Sequence, residues 1–126
     1  MKCSKNYVMI RKMGGFYQVF DEDAYLLFYL FKYKIINSKA GFPLISLNKV
    51  IKILDEKKIN YIVIKSDLDK DTKDFRRKNS YDYYLKLSKE FYNLEIKKQS
   101  IEDKIKTLPL AKIEKLYNII EEFINE

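Results

Sequence analysis

The sequence predicts a small α/β (α+β) domain, in which a mixed β-sheet is flanked by helices and followed by a C-terminal helical hairpin. Two glycines separate two strand-like runs near the N-terminus, Ile59–Ile64 is almost continuously apolar, and helical periodicity begins at Tyr81. A chain of 126 residues that is 47% hydrophobic suits one small domain with a helical extension. We therefore divide it into an α/β unit (1–65), a charged linker (66–80) and a hairpin (81–126) packed on the first unit or on a partner chain.

The first two strands are predicted to form a hairpin around Gly14 and Gly15. Tyr7–Met13 is rich in β-forming residues, and Phe16–Phe20 pairs with it as an antiparallel neighbour. Glycine has no Cβ, so the chain can turn sharply here or lie very close to another molecule. Residues i and i+2 of a strand point to one face, which places Phe16 and Gln18 together.

A buried helix is expected next. Asp21 or Glu22 is a suitable N-cap, and acidic residues in a first turn suit the helix dipole. The helix over 23–35 is apolar on nearly every side, which predicts that it packs against the sheet. Ala40–Pro43 then returns as a short extended segment.

The remaining elements of the first unit are a second helix and a strand. Ser46 is a good N-cap for a helix over Leu47–Lys57, whose apolar residues recur at spacings of three and four. The apolar run Ile59–Ile64 is typical of a strand buried on both faces, which predicts a central position in the sheet.

The C-terminal half has a different character. The segment 66–80 mixes charges and ends in Arg76, Arg77 and Lys78, which could hold phosphates or form solvated surface. A heptad-like seam follows, interrupted at Lys98, and predicts burial against another helix in the chain or in a dimer. The seam residues are Tyr84, Leu87, Phe91, Leu94, Ile101, Ile105 and Leu108.

Composition argues against most catalytic chemistry. There is no His, so the usual general base and an ordinary zinc site are missing, and the lone Cys3 excludes an internal disulfide. No phosphate-binding loop or dinucleotide fingerprint occurs. Asp21 or Asp23 with Asp55, Glu56 and Lys58 could supply a metal-dependent nuclease, but their spacing matches no specific motif. We expect a non-enzymatic, cytoplasmic protein without cofactor, metal or membrane association.

Positive charge is concentrated in the first half of the sequence. Residues 1–65 hold twelve Lys/Arg and five Asp/Glu, whereas residues 66–126 hold thirteen of each. Such a bias is typical of a protein that binds a polyanion, although Lys-rich proteins of AT-rich genomes are often basic too. We expect the basic side chains of the first half, with Lys12 and Lys39 near Phe16, to line one face of the sheet unit.

The run Gly14-Gly15-Phe16-Tyr17-Gln18-Val19-Phe20, followed by Asp23-Ala24, resembles the signature of the N-terminal mismatch-recognition domain (domain I) of the MutS DNA mismatch-repair family. That signature reads Gly-Asp-Phe-Tyr-Glu-Leu-Phe and then Asp-Ala. A second hallmark, Ala-Gly-Val/Ile-Pro, corresponds to Ala40-Gly41-Phe42-Pro43, and the resemblance covers roughly residues 7 to 65. The chain departs from the family at Gly15, where Asp is usual, and at Leu44-Ile45, where an aromatic-His pair is usual.

The resemblance implies a DNA-binding function. In the family, the Phe wedges into the base stack at a mispair and the Glu hydrogen-bonds the displaced base. Phe16 matches the first position, and Gln18 occupies the second in place of Glu. We expect a module that binds distorted, mismatched or structured DNA. The predicted DNA-binding residues are Arg11, Lys12, Gly14, Gly15, Phe16, Gln18, Lys39, Arg76, Arg77 and Lys78.

One alternative stays open at this point. A protein-interaction or regulatory module, encoded for instance by a mobile element, would keep the fold without reading bases. Residues 81–126 would then contact a protein partner or form a homodimer.

Overall fold

A computed structural model describes residues 6–76 and 80–126, and shows the expected mixed α/β architecture in these ranges. Its elements are β1 (Val8–Met13), β2 (Phe16–Phe20), α1 (Glu22–Phe31), β3 (Lys39–Pro43), a 3₁₀ turn (Leu44–Ser46), α2 (Leu47–Glu56), β4 (Tyr61–Ser66), β5 (Asp69–Lys73), α3 (Ser80–Lys106) and α4 (Leu110–Ile124). None of the helices in the described ranges is both long and apolar enough to span a bilayer.

The five strands form one sheet in the order β3-β2-β1-β4-β5. β1 and β4 are parallel, and every other neighbouring pair is antiparallel. The predicted hairpin of β1 and β2 is confirmed, with Met13 opposite Phe16 and Arg11 opposite Gln18. As its apolar run predicted, β4 is an interior strand with buried residues on both faces, Val63 on one and Ile64 on the other, although the middle strand of the five is β1.

Strand β5 corrects the prediction that 66–80 is a linker. Asp69–Lys73 pairs along β4, for example Thr72 with Ile62, and every one of its five residues is exposed. Backbone hydrogen bonding to β4 holds this edge strand, since no apolar side chain contributes. Charged edge strands are a common defence against aggregation. A pattern of hydrophobic residues could not have revealed it.

Helix α1 is shorter than predicted. It ends at Phe31, because Lys32 adopts a left-handed conformation with φ 65° and donates its backbone N–H to the carbonyl of Phe28 at 2.9 Å. The sequence stays apolar past this point because the following side chains also pack against the core. The ring of Tyr33 stacks on those of Phe31 and Phe42, with centroids 5.4 and 5.6 Å away.

The core lies on one face of the sheet. The buried residues at one set of alternating strand positions pack with the buried residues of α1, α2 and the start of α3. We call this side the helix-covered face. Its strand residues are Val8, Ile10, Tyr17, Val19, Ala40, Phe42, Tyr61 and Val63.

The start of α3 packs on α1 through aromatic side chains. The ring of Tyr92 meets those of Tyr25 and Phe28 edge to face, with centroids 5.0 and 5.3 Å away. An exposed ion pair of 3.0 Å joins Lys89 to Glu22. Exposed pairs add little to stability, so the aromatic contacts carry most of this packing energy.

A buried carboxylate ties three elements together. Asp23, in the first turn of α1, accepts hydrogen bonds from the backbone N–H of Met9 in β1 at 3.0 Å and from the hydroxyl of Tyr81 in α3 at 2.5 Å. Burial, and next the negative charge of Asp23, raise the pKa of Tyr81 above its ordinary value of 10.0. The tyrosine therefore stays protonated and remains a donor.

The chain divides into two compact units, Met1–Tyr92 and Asn93–Glu126. The second holds the distal part of α3 and all of α4, joined by a short connection, and none of its residues is buried. The prediction that Leu94 and Ile101 are buried within the chain is wrong, since both are exposed. Their burial in a dimer stays a prediction.

Replacing Tyr81 with Phe should lower the free energy of unfolding at neutral pH by about 1.5–3 kcal/mol, because a hydrogen bond to a charged group is lost. The measurement is urea denaturation of the variant and the wild type. The exposed Tyr83, two positions along the same helix, supplies the control substitution Tyr83→Phe, which should change little.

The same bond predicts how stability depends on alkaline pH. Because the pKa of Tyr81 is higher in the folded than in the unfolded chain, its contribution is complete below pH 10.0, the ordinary pKa of tyrosine, and is lost as the pH rises above it. The wild type should therefore lose more stability than Tyr81→Phe between neutral pH and strongly alkaline pH. Equal losses in the two proteins would contradict this assignment.

Candidate nucleic-acid interface

The sheet face opposite the core forms a continuous surface, which we call the open face. It contains the strand residues that alternate with the core positions, and directly paired residues of neighbouring strands share it. Ile64 is buried there, and the other positions are half-buried or exposed. The open face consists of Met9, Arg11, Met13, Phe16, Gln18, Phe20, Lys39, Gly41, Pro43, Ile62, Ile64, Lys70 and Thr72.

Phe16 stands at the tip of the β1–β2 hairpin. Gly14 adopts a φ of 63°, a left-handed conformation that favours glycine, and this reverses the chain between the strands. Phe16 is the first residue of β2, with 54% of its surface exposed. Met13 on β1 and Pro43 on β3 lie opposite it on the same face. The structure therefore presents the ring outward between two apolar neighbours.

Gln18 lies on the same face, one row further into the sheet. It pairs with Arg11 on β1 and with Gly41 on β3. A Cβ at Gly41 would lie 3.2 Å from the carbonyl oxygen of Tyr17 and 3.5 Å from Cγ of Gln18. A side chain at Gly41 would therefore crowd the backbone carbonyl of Tyr17, whereas its distance to Gln18 would be that of an ordinary van der Waals contact.

The row that contains Gln18 crosses all five strands. From β5 to β3 it reads Lys70, Ile64, Arg11, Gln18 and Gly41. Neighbouring strands are about 4.8 Å apart, so Arg11 lies beside Gln18 and Lys70 about 10 Å beyond Arg11. Two basic side chains and one amide therefore follow a single line across the sheet.

The second aromatic residue of β2 is Phe20. Lys39 lies directly opposite it on β3, with Nζ 5.9 Å from the centroid of the ring. This is near the outer limit of a cation–π contact. Lys39 is four strand positions from Phe16, or about 13 Å, so the expectation that it lies near Phe16 is wrong although it shares the open face.

Lys12 does not lie on the open face, where the sequence predicted it. It pairs with Tyr17, a core residue, and so belongs to the helix-covered side at the exposed end of β1. Successive residues of a strand point to opposite faces, and the neighbour of Arg11 therefore cannot share its side. Arg11 is the basic residue of β1 that lies on the open face.

Arg76 lies far from the hairpin tip. Its backbone N–H donates to Oδ1 of Asp74, and the N–H of Phe75 donates to Oδ1 of Asn60, both at 2.7 Å. The carbonyl of Asn60 in turn accepts from the N–H of Val8, at the opposite end of β1 from Met13. Arg76 and Phe16 are thus not brought together. The other two members of the triplet, Arg77 and Lys78, lie outside the described residues.

The basic residues of the first half do not line one face, so that prediction is wrong. Lys49 and Lys52 are on α2, Lys57 and Lys58 follow its end, and Lys32 lies over the ring of Phe91. Among residues 6–65, the open face receives only Arg11 and Lys39 at strand positions. The sheet carries no acidic residue at any of its open-face positions, because Asp69 and Asp71 alternate to the other side of β5.

Lys70 is an open-face residue that the sequence analysis missed. It lies within the segment interpreted as a linker, where Asp69-Lys70-Asp71-Thr72-Lys73 places Lys70 and Thr72 on one side of the strand and the two acids on the other. This period of two was the available signal. Strong polarity on both sides concealed it.

The acidic residues considered for a nuclease are not assembled into a site. Asp23 is buried in the contacts described above, and Asp55 accepts a hydrogen bond of 3.1 Å from the hydroxyl of Tyr61. Burial, and next the bond to Asp55, raise the pKa of Tyr61 to about 12. In the part of the chain that the structure describes, no three metal-ligating side chains form a group.

Comparison with known proteins adds no assignment. A scan against protein-family models finds no matching family, and a search of curated proteins finds no related sequence.

The two glycines of the hairpin tip should respond differently to the same substitution. Gly14→Ala places a side chain in the left-handed region and should destabilise the protein by about 1–2 kcal/mol. Gly15→Ala meets nothing within 4 Å and needs no positive φ, so it should be nearly neutral. Urea denaturation of both variants measures the difference, and equal costs would show that Gly14 does not hold the turn.

Proposed function

We propose that this protein is a non-enzymatic DNA-binding module that recognises distorted or mismatched duplexes with its open face. Phe16 acts as the wedge and Gln18 as the polar reader beside it. The observation that carries this proposal is the exposure of Phe16 at a hairpin tip, with Gln18 on the same face. The resemblance to the MutS mismatch-recognition domain supports the same roles.

The wedge role requires that the strand carrying the ring is held rigidly. Inserting a side chain between bases costs a few kcal/mol of unstacking, and base–aromatic stacking returns about 1–3 kcal/mol per base. Tyr17 and Val19 are buried on the other side of β2 and anchor the strand in the core. Phe16 can therefore enter a base stack without removing any side chain from the core.

Phosphate contacts would come from the basic residues of the open face. Arg11, Lys39 and Lys70 lie on three different strands, without an acidic residue between them on that face. Three phosphate contacts correspond to a slope of about −2.7 in log K against log salt. Binding by a single copy is therefore expected to be weak and sensitive to salt.

A second candidate function is a protein-interaction module. It is favoured by helix α4, which exposes several large apolar side chains to solvent. Exposed apolar patches on small proteins commonly mark protein interfaces. This function does not exclude DNA binding, since the open face belongs to a different unit of the chain.

Phe16→Ala should weaken binding to mismatched duplex by about tenfold or more, because one stacking contact is lost. Its free energy of unfolding should change by less than about 0.5 kcal/mol, since the ring is exposed. Fluorescence anisotropy with matched, mismatched and branched DNA at two salt concentrations measures the affinity. The matched control is Tyr83→Ala, which removes an aromatic ring of 59% exposure from α3. Unchanged affinity in Phe16→Ala, or an equal loss in the control, would refute the wedge.

The basic residues can be tested by salt dependence. Arg11→Gln or Lys70→Gln should each reduce the salt slope by about one, because one phosphate contact is lost. Lys52→Gln on α2 is the control and should leave the slope unchanged. A larger effect at Lys52 than at Arg11 would place the DNA on the helix-covered side and contradict the proposed surface.

A further inference from the structure

The second compact unit, Asn93–Glu126, lacks a core of its own. None of its residues is buried, and most of the apolar side chains of α4 are exposed. Two helices of this size cannot bury enough apolar surface to be stable without further packing. The unit therefore leaves much of its apolar surface available for contact with a partner.

The apolar residues of α4 cover one broad face of the helix, and Ile113 and Ile120 lie between its two edges, which we call the first and second stripes. The first stripe contains the half-buried Leu116 with Ile119 and Phe123, at spacings of three and four. Ile119 is 62% exposed and Phe123 72%. The second stripe contains Leu110, Tyr117 and Ile124 at spacings of seven, and Tyr117 is also 62% exposed.

The charges beside the two stripes differ. Lys115 and Glu122 are seven residues apart and border the first stripe on one side, so the stripe carries a positive charge towards its start and a negative charge towards its end. When two copies of such a helix pair antiparallel, residues on the same border meet, and each positive charge faces the negative charge of the other copy. The first stripe is therefore complementary to itself.

The second stripe does not have this property. Glu114 and Glu121, again seven residues apart, border it, and antiparallel pairing of two copies would bring carboxylates together. Like charges at such positions are destabilising. Self-association of α4 is thus favoured on the first stripe and disfavoured on the second.

We propose that a second copy of this chain covers the first stripe of α4. The two α4 helices run antiparallel around a twofold axis near Ile119, so that Lys115 of each copy faces Glu122 of the other. This interface buries Leu116, Ile119 and Phe123 of both copies. The proposal does not rest on DNA binding, and its test contains no DNA.

Sedimentation velocity of the full chain over a wide range of concentrations tests the proposal. The wild type is expected to form a dimer. Ile119→Asp should weaken it by about a hundredfold or more, because each dimer would then bury two unpaired carboxylates. Tyr117→Asp, at a site of equal exposure on the second stripe, should leave the dimer intact.

Charge reversal tests the antiparallel arrangement. Lys115→Glu and Glu122→Lys should each weaken the dimer by about tenfold, since two ion pairs become repulsive in every dimer. The double variant Lys115→Glu/Glu122→Lys should restore the dimer, which also shows that these variants fold. Circular dichroism checks helix content throughout.

Three results would overturn the proposal. A wild-type chain that stays monomeric at every concentration would show that no second copy covers the stripe, even if another protein binds there. A dimer that Tyr117→Asp dissociates and Ile119→Asp does not would assign the interface to the second stripe. Failure of the double variant to recover would exclude the antiparallel pairing.

Discussion

The carboxylate of Asp23 is the contact on which the arrangement of the first unit depends. The residues of β1 that pair with β2 are Arg11 to Met13, and the pairing stops before Met9. The N–H of Met9 therefore has no acceptor on β2. Asp23 supplies that acceptor and at the same time receives the hydroxyl of Tyr81. Burying a charge is unfavourable unless donors surround it, and these donors come from two other elements. The same bonds that compensate the charge hold α1 and α3 to the strand, on one side of the sheet.

This one-sided packing explains how a small domain can present an open face. The helices cover one set of alternating strand positions. The other set can therefore carry charged and polar residues, which a buried core would exclude. Arg11, Gln18 and Lys70 occupy such positions. Phe16 contributes little to folding from this position, because more than half of its surface is exposed to solvent. In the proposed function it contributes to binding instead.

Local patterns predicted the parts of the fold that local sequence controls. Alternation identified the β1–β2 hairpin and placed Phe16 and Gln18 on one face, because strand geometry alone determines both. The sequence could not show that Lys32 ends α1, since the apolar pattern continues beyond it and the stacking of Tyr33 on Phe42 of β3 is a tertiary contact. Likewise, β5 is held by pairing with β4 and not by its own side chains. Residues 1–65 do carry an excess of basic residues, but a count of residues cannot show which lysines lie on the sheet and which lie on helix α2.

The small number of basic side chains on the open face gives the second unit a role in the proposed DNA binding. A single open face offers three basic side chains at strand positions, too few for tight binding to a polyanion at physiological salt. Joining two such faces in one molecule makes the second contact intramolecular, and affinity then rises without any new kind of contact. The second unit has the properties that such a connection needs, since the first stripe of α4 is complementary to itself and belongs to a different unit from the proposed DNA-binding surface. The proposed weak DNA reader on the first unit and the proposed self-pairing helix on the second are thus compatible parts of one mechanism.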